Sequence, residues 1–175
     1  GAAHYHSYGQ RVALIDLDIS GQAQYNYFSA DSGAGVDTRY ALQGPYDATF
    51  GCSPFWQVSP DDVDAAGNRK SAALYGAMYL AGETGLAITK FNWDQLTDGQ
   101  TVHLSTAPEY WAALREQFAL VIVDTPAFDR SDTALTVIPE ADKTVLVTPP
   151  HKTTDPALGQ LSEKIKAHHG NCAGL

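Results

Sequence analysis

Residues 118–126 read FALVIVDTP, an apolar run that stops on Asp124 and breaks at Pro126. The apolar residues from Ala119 to Val123 are too few for a buried helix but enough for one strand covered on both faces. The stretch therefore predicts a central parallel strand. Because open α/β sheets bind ligands outside the carboxyl ends of their strands, Asp124 marks the edge where a site is expected.

Residues 11–18, RVALIDLD, repeat this design, with an apolar run from Val12 to Ile15 followed by Asp16 and Asp18. If the two strands are neighbours, Asp16, Asp18 and Asp124 meet. Three carboxylates in one crevice repel each other unless a cation or a proton intervenes. Mg²⁺ prefers oxygen ligands and is commonly held by one or two carboxylates plus phosphate. The alternative is ordinary capping of the helices that follow the strands, and the spacing does not decide between the two.

Length and composition limit the classes of protein that the chain can belong to. At 175 residues with 44 % hydrophobic content, residues 1–175 are expected to form a single domain with a real core. The formal charge of −9 argues against broad nucleic-acid binding. Cys52 and Cys172 are too few for a disulfide framework. No apolar stretch approaches the ~20 residues of a membrane helix, so we expect a cytoplasmic domain without a transmembrane segment.

Local patterns place further elements along the chain. A helix is predicted from Thr106 to Phe118, because Thr106 and Glu109 match a capping box and Pro108 falls in the first turn. A long excursion at 20–64 contains aromatic residues that we interpret as core rather than as a stacking platform for bases. Other predicted helices lie within 65–82, at 132–138 and from about 155 to Gly170, and other strands at 101–104, 144–148 and from Cys172 onward. Alternating strands and helices predict a mostly parallel α/β sheet with helices on both faces.

Two of these segments resemble signatures of a known family. VALIDLD at 12–18 resembles the Walker A′ motif, and LVIVDTP at 120–126 resembles the Walker B strand, of the deviant P-loop ATPases of the ParA/MinD group. That group includes capsule-type bacterial tyrosine kinases and BcsQ-like proteins. Downstream, Asp132 and Asp142 follow in the order seen in the capsule kinases. The resemblance covers the N-terminal segment and 118–175, and it implies a P-loop NTPase (Rossmann-like) fold.

The resemblance also implies a role for each site residue. Asp124 would hold Mg²⁺ through a water, and Asp18 would assist at the metal or at the attacking water. Asp16 would be the catalytic base, accepting a proton from water or from a tyrosine hydroxyl. Thr125 and Pro126 would lie near the γ-phosphate of ATP in a switch loop, although a plain strand-to-helix loop is equally compatible with the sequence.

The same resemblance carries expectations about cofactors, partners and location. ATP and Mg²⁺ would be the cofactors, and a homodimer would form across the nucleotide. The protein would regulate polysaccharide synthesis or export at the cell envelope through a membrane-associated protein partner, lying in the cytoplasm or peripherally at the inner membrane.

One motif of the family is missing from these 175 residues. No Gly-rich loop ends in Gly-Lys-Ser/Thr, and GETGLAITK at 82–90 has the wrong spacing. In the family this loop precedes a helix that leads into Walker A′, so residues 1–9 are expected to be the tail of that helix, in a domain truncated at both ends. Whether the chain is an enzyme therefore stays open. The alternative function is a degenerate ATPase fold that acts as a non-catalytic interaction module.

Two other interpretations are less favoured. A receiver domain also gathers acidic residues around Mg²⁺, but its phosphoacceptor lies in a domain of about 120 residues, whereas here Asp124 follows Asp16 by 108 positions. Autokinase activity on a C-terminal tyrosine cluster is also disfavoured, because no tyrosine follows Tyr110.

Overall fold

The computed structural model describes residues 11–30, 41–61, 63–148 and 155–174. It divides the chain into two compact units, Gly1–Pro126 and Ala127–Leu175. The predicted helix end at 1–9 lies outside the described residues. That 1–175 forms one domain stays a prediction. Within the described ranges, no helix is both long and apolar enough to cross a membrane.

The first unit is built on a five-stranded sheet. Its strands are β1 (Val12–Asp16), β2 (Leu42–Asp47), β4 (Gly76–Ala81), β5 (Leu86–Phe91) and β7 (Leu120–Asp124), in the order β2-β4-β5-β1-β7. A separate two-stranded sheet pairs β3 (Trp56–Ser59) with β6 (Thr101–Leu104). Two helices accompany these strands, α1 (Ala23–Ala30) and α2 (Pro108–Gln117). The unit is thus an α/β fold.

The sheet is mixed, so the prediction of a mostly parallel sheet is wrong. β1 runs parallel to β5 and to β7, but β4 is antiparallel to both β5 and β2. The cause is the segment 82–85, GETG, which connects β4 and β5 as a tight hairpin turn. Gly82 and Gly85 have φ values of 54° and 70°, a conformation in which a Cβ atom is strained. That helices cover both faces of the sheet stays a prediction.

Strand β1, rather than β7, has the buried position in this sheet. All five residues of β1 are buried, and β1 has a neighbour on each side. β7 is half-buried throughout and is the last strand in the order of the described residues. The prediction that FALVIVDTP forms the central strand is therefore wrong in position, although the strand and its parallel pairing are confirmed.

The core of the first unit follows the two-residue period of its strands. Val12, Leu14, Leu86 and Ile88 form a buried cluster with Ala81, and Leu120 and Ile122 of β7 pack against it. Tyr25 and Phe28 of α1 also pack there. Since alternate residues of a strand point to opposite faces, the complete burial of Ala13 and Ile15 shows that β1 is also covered on its other face.

A second apolar group is aromatic. Phe55 and Trp56 contact each other edge to face, and both lie against Tyr110 of α2. Phe55 also stacks on Trp111 at 5.7 Å between ring centroids. The interpretation of the aromatic residues of the excursion as core is confirmed for these residues and for Tyr25 and Phe28, whereas Tyr27 is exposed.

Helix α2 confirms the predicted helix but not its cap. It begins at Pro108, and Ala107 occupies the N-cap position without a side-chain hydrogen bond. Thr106 therefore lies one residue too early to form the capping box. The predicted helix within 65–82 is wrong, because that segment contains a short 3₁₀ turn, Ala72–Leu74, and then β4. Gly76, the first residue of β4, packs closely against the ring of Trp56, which leaves no room for a larger side chain.

The second unit contains β8 (Thr144–Val145), α3 (Asp155–Ala167) and β9 (Cys172–Gly174), with β8 and β9 parallel. The predicted final helix and the strand after it are confirmed. The predicted helix at 132–138 is wrong, because two 3₁₀ turns occupy Thr133–Thr136 and Ile138–Glu140 and Pro139 prevents one continuous helix. The predicted strand at 144–148 is shorter than expected, because only Thr144–Val145 forms a strand. Ala134, Ile138, Leu146 and Ile165 form the core of this unit.

Candidate functional site

The aspartates that end β1 and β7 lie opposite each other. The two strands are parallel and in register from Val12 with Leu120 to Asp16 with Asp124. Just beyond, the Leu17 amide donates a 2.8 Å hydrogen bond to the Asp124 carbonyl. The fold therefore brings together, at the carboxyl edge of two adjacent strands, two of the three aspartates singled out in the sequence, although they are 108 positions apart.

Asp16 is buried, with only 4 % of its surface exposed. Its carboxylate accepts backbone hydrogen bonds from Asp18 at 2.9 Å on Oδ1 and from Gln24 at 3.2 Å on Oδ2. Its own amide donates to Thr89 Oγ1 on β5 at 3.0 Å. Two of these bonds fix the carboxyl group, from its own loop and from the first turn of α1, and the third fixes the backbone of Asp16 against the neighbouring strand.

The environment of Asp16 favours its neutral form. The pKa of the Asp16 carboxyl is raised to about 6, chiefly by burial and also by the nearby charges of Asp124 and Asp18, against the two backbone hydrogen bonds, which lower it. A carboxyl group with a pKa of this size exchanges protons near neutral pH, which is the property that a general base needs.

Gln24 links the two aspartates. While its backbone amide donates to Asp16, its side-chain Nε2 donates to Asp124 Oδ2 at 2.7 Å. Sequence reasoning missed this residue, because the pattern at 20–64 predicts a long excursion that contains short helices but does not place α1 within it. The sequence does place two glutamines, Gln22 and Gln24, within six residues after Asp18. It does not show which of the two contacts the aspartates.

Gln22 connects the loop after β1 to strand β5. Its side-chain amide forms two hydrogen bonds with the backbone of Phe91, donating to the carbonyl at 3.0 Å and accepting from the amide at 2.8 Å. These bonds attach the loop after β1 to the end of β5. They position the start of α1, and with it Gln24, over the strand ends.

Asp18 is half-buried and organises its own loop. Its Oδ1 accepts hydrogen bonds from Ser20 Oγ at 2.8 Å and from the Gly21 amide at 3.4 Å. Its carbonyl accepts from the amides of Gly21 and Gln22. These bonds stabilise the turn that precedes α1, whereas the helical amide of Gln24 is capped by Asp16. Thr125 and Pro126 follow Asp124 at the same edge and are half-buried.

The donor chemistry of this edge fits Mg²⁺ in part. Asp16 and Asp124 supply carboxylate oxygens on adjacent strands, but no group of three or more His, Cys, Asp or Glu side chains suited to a metal occurs among the described residues. Both Asp16 oxygens are used by backbone amides, and one Asp124 oxygen is used by Gln24. The residues fit an ion held by one carboxylate through water better than an all-protein cage.

Comparison with known proteins bears on the fold. No protein-family model and no curated protein sequence matches the chain. Two solved structures are similar to it. The VpsO kinase domain has a TM-score of 0.59 at 15 % identity, covering 99 % of this chain and 71 % of that one. The kinase domain of the Escherichia coli tyrosine kinase Etk has a TM-score of 0.56 at 16 % identity, covering 99 % of this chain and 57 % of that one.

These similarities confirm the resemblance that the two aspartate motifs indicated, at the level of fold. At identities of 15 % and 16 % they establish architecture and not activity. The chain has an α/β fold with a mixed sheet, similar to the kinase domains of the bacterial tyrosine kinases VpsO and Etk.

Proposed function

We propose that this chain forms the magnesium-side part of a nucleotide site in an ATP-hydrolysing protein of the ParA/MinD type. The observation that carries the proposal is the pairing of Asp16 with Asp124 at the ends of adjacent parallel strands, with Gln24 donating to both. The fold shared with two kinase domains supports it.

In this proposal each acidic residue has a separate chemical role. Asp16, buried and with a raised pKa, accepts a proton from water or from a substrate hydroxyl. Asp124 holds a hydrated Mg²⁺, with Asp18 beside it, while Thr125 and Pro126 lie near the γ-phosphate. Bound Mg²⁺ would supply neutralisation of phosphate charge, which together with positioning dominates catalysis of phosphoryl transfer.

Gln24 would act as a positioning residue at this site. Its amide donates to Asp124 Oδ2, so a hydrated cation at this carboxylate would compete with it for the same oxygen. Its backbone amide keeps Asp16 oriented in either case, because that bond does not depend on the side chain. The exchange of an amide donor for a hydrated cation would thus couple metal binding to the start of α1.

The phosphate groups of ATP need the backbone and lysine donors of a phosphate-binding loop. The sequence contains no Gly-Lys-Ser/Thr loop, so we propose that a segment outside these 175 residues supplies the loop in the full-length protein. The expected wider setting is unchanged: a homodimer across the nucleotide, a membrane-associated protein partner, and regulation of cell-envelope polysaccharide synthesis or export.

Titration calorimetry of the full-length protein with ATP tests this proposal. We expect Mg²⁺-dependent ATP binding that Asp124→Asn weakens, because the carboxylate charge is lost. Asp16→Asn should leave binding in place but lower hydrolysis by roughly 10²- to 10⁴-fold, the usual contribution of a general base. Asp98→Asn, at an exposed aspartate, is the matched control and should change neither quantity. The proposal fails if the full-length protein binds no ATP in the presence of Mg²⁺.

A second candidate function is a degenerate ATPase fold that serves as an interaction module. The missing phosphate loop favours it, and so does the engagement of Asp124 by a side chain of the same chain. It predicts that Asp16→Ala and Asp124→Ala leave partner binding and cellular phenotype unchanged. A strong loss of function in either variant, with the protein still folded, counts against it.

A further inference from the structure

The first unit contains a large groove far along the chain from the Walker-like motifs. Its volume is about 510 Å³, and its lining comes from β3, β6 and the segments that flank β3 in the chain. The polar residues of this lining include Gln57, Ser59, Asp61, Arg69, Tyr75 and His103, together with Lys70. This volume falls within the range of small-molecule sites, roughly 300–1,000 Å³.

One wall of the groove is a face of the small sheet. Gln57 and His103 lie directly opposite each other on β3 and β6, and Ser59 lies two residues beyond Gln57 on the same face. Thr101 Oγ1 donates to the Ser59 carbonyl at 3.2 Å and lies 3.1 Å from His103 Nε2. Amide, hydroxyl and imidazole groups therefore face the groove from a hydrogen-bonded scaffold.

Another part of the lining carries positive charge. Arg69 and Lys70 follow a tight turn that Asp64 organises, because its Oδ1 accepts hydrogen bonds from the amides of Ala66 and Asn68 at 2.8 and 2.9 Å. Val63 and Arg69 pair as a β-bridge across this turn. An ion pair to Asp61 at 2.8 Å orients the Arg69 guanidinium. The lining thus has two cationic side chains and one carboxylate, in a chain whose net charge is −9.

Tyr75, which also lines the groove, has an unsatisfied hydroxyl. The residue is only 5 % exposed, and its OH has no hydrogen-bond partner among the described residues. The nearby indole of Trp56, in contrast, donates to the Ala72 carbonyl at 3.1 Å. A buried hydroxyl without a partner is unfavourable, so a ligand group that reaches it would supply the missing hydrogen bond.

We infer that this groove binds a small phosphorylated molecule with hydroxyl groups, of the size and chemistry of a sugar phosphate. The guanidinium of Arg69 can donate two hydrogen bonds to a phosphate, and the ammonium group of Lys70 adds a compact positive charge. Gln57, Ser59 and His103 provide donors and acceptors for hydroxyl groups. The lining includes none of the strand-end carboxylates, and the inference does not depend on the proposed nucleotide site.

Calorimetric titration of the chain with glucose 6-phosphate tests the inference, with glucose and inorganic phosphate as separate arms. We expect glucose 6-phosphate to bind more tightly than either fragment. Arg69→Ala and Lys70→Ala should each weaken its binding by roughly 10-fold, the usual value of a hydrogen bond to a charged group. Both residues are exposed, so these variants should keep the parent's unfolding midpoint.

Three further variants make the test specific. Lys143→Ala removes an exposed charge in the other unit and should leave the affinity unchanged. Asp124→Asn should also leave it unchanged, which separates this groove from the nucleotide site. Tyr75→Phe should lower the affinity roughly 3- to 10-fold without lowering the stability of the free chain, since its hydroxyl has no partner there.

The inference is overturned if glucose 6-phosphate gives no binding at millimolar concentration, or if glucose binds equally well. It is also overturned if the Arg69→Ala and Lys70→Ala variants keep the parent's affinity, because binding would then lie elsewhere on the chain.

Discussion

At the scale of single residues, Asp16 is the most unusual group in the described chain. It is a buried carboxyl whose two oxygens accept backbone hydrogen bonds, yet its pKa is raised rather than lowered. The reason is that desolvation and two neighbouring carboxylates outweigh two amide donors. Burial of this kind costs stability, and a protein tolerates it most readily where the group has a use.

The raised pKa of Asp16 predicts a pH dependence of stability. The folded-state value of about 6 exceeds the ordinary 3.8, so the folded state binds the proton more tightly than the unfolded state. The stability from this group is complete below pH 4 and falls as pH rises through 6, by about 3 kcal/mol. Urea unfolding therefore measures the prediction. Between pH 4 and pH 7.5, the free energy of unfolding of the parent should fall by about that much more than that of Asp16→Asn, whose side chain does not titrate. The same comparison for exposed Asp98→Asn should show no such change, and an equal difference at both pH values would contradict the prediction.

Gln24 makes a second prediction at this scale. Gln24→Met keeps the length of the side chain but removes the donor to Asp124, so the free energy of unfolding at pH 7 should fall by about 1–2 kcal/mol. Gln24→Glu should cost more, because it places another carboxylate beside Asp124, and the excess should shrink at pH 4. Chemical denaturation at both pH values measures the two effects. A Gln24→Met variant as stable as the parent would show that the bond contributes nothing.

At the scale of elements, the β4–β5 hairpin decides the character of the sheet. Ala81 pairs with Leu86 across the turn 82–85, and the antiparallel pairing continues to Gly76 with Phe91. β5 then lies parallel to β1, so one hairpin connects the antiparallel and parallel parts of the sheet. At the other end of the hairpin, Gly76 packs closely against the ring of Trp56.

The close approach at Gly76 can be tested with a single methyl group. A Cβ atom at this position would lie 2.4, 2.7 and 2.9 Å from three carbon atoms of the Trp56 ring. Since both residues are buried, Gly76→Ala should destabilise the chain by about 1–3 kcal/mol through overpacking. Gly159→Ala is the matched control: its Cβ meets nothing within 4 Å in the middle of α3, and it should stabilise by about 0.5–1 kcal/mol. Thermal unfolding of both variants gives the comparison, and equal midpoints would contradict it.

At the scale of the whole molecule, charge is the property that most limits possible partners. The chain carries 20 acidic and 11 basic residues, so a phosphate backbone meets net repulsion. Two basic residues line the groove of the first unit, which is enough for one phosphate group but not for the several phosphates of a nucleic-acid strand.

This charge predicts no binding to duplex DNA. Fluorescence anisotropy of a labelled duplex in low salt should stay flat up to about 10 µM protein, where non-specific DNA-binding proteins saturate. A basic DNA-binding domain serves as the positive control. Saturable binding that weakens as salt is added would contradict the prediction.

The sequence alone determined the parts of the molecule that depend on local pattern. The apolar runs that end on Asp16 and Asp124 form strands, and the helices around 108–117 and 155–167 form where apolar spacing and proline indicated them. These features are encoded within a few residues of each other, so a short stretch is sufficient to specify them. The same stretches carried the resemblance that the fold then confirmed.

Only the tertiary structure decided the features that need distant residues to meet. The mixed sheet, the outer position of β7 and the contact of Gln24 with Asp124 depend on pairings across tens of residues, which no local pattern specifies. The residues GETG at 82–85 have the composition of a hairpin turn, but the local sequence does not show which strands the turn connects. The groove beside Arg69 likewise exists only because β3 and β6, more than 40 residues apart, pair into one sheet.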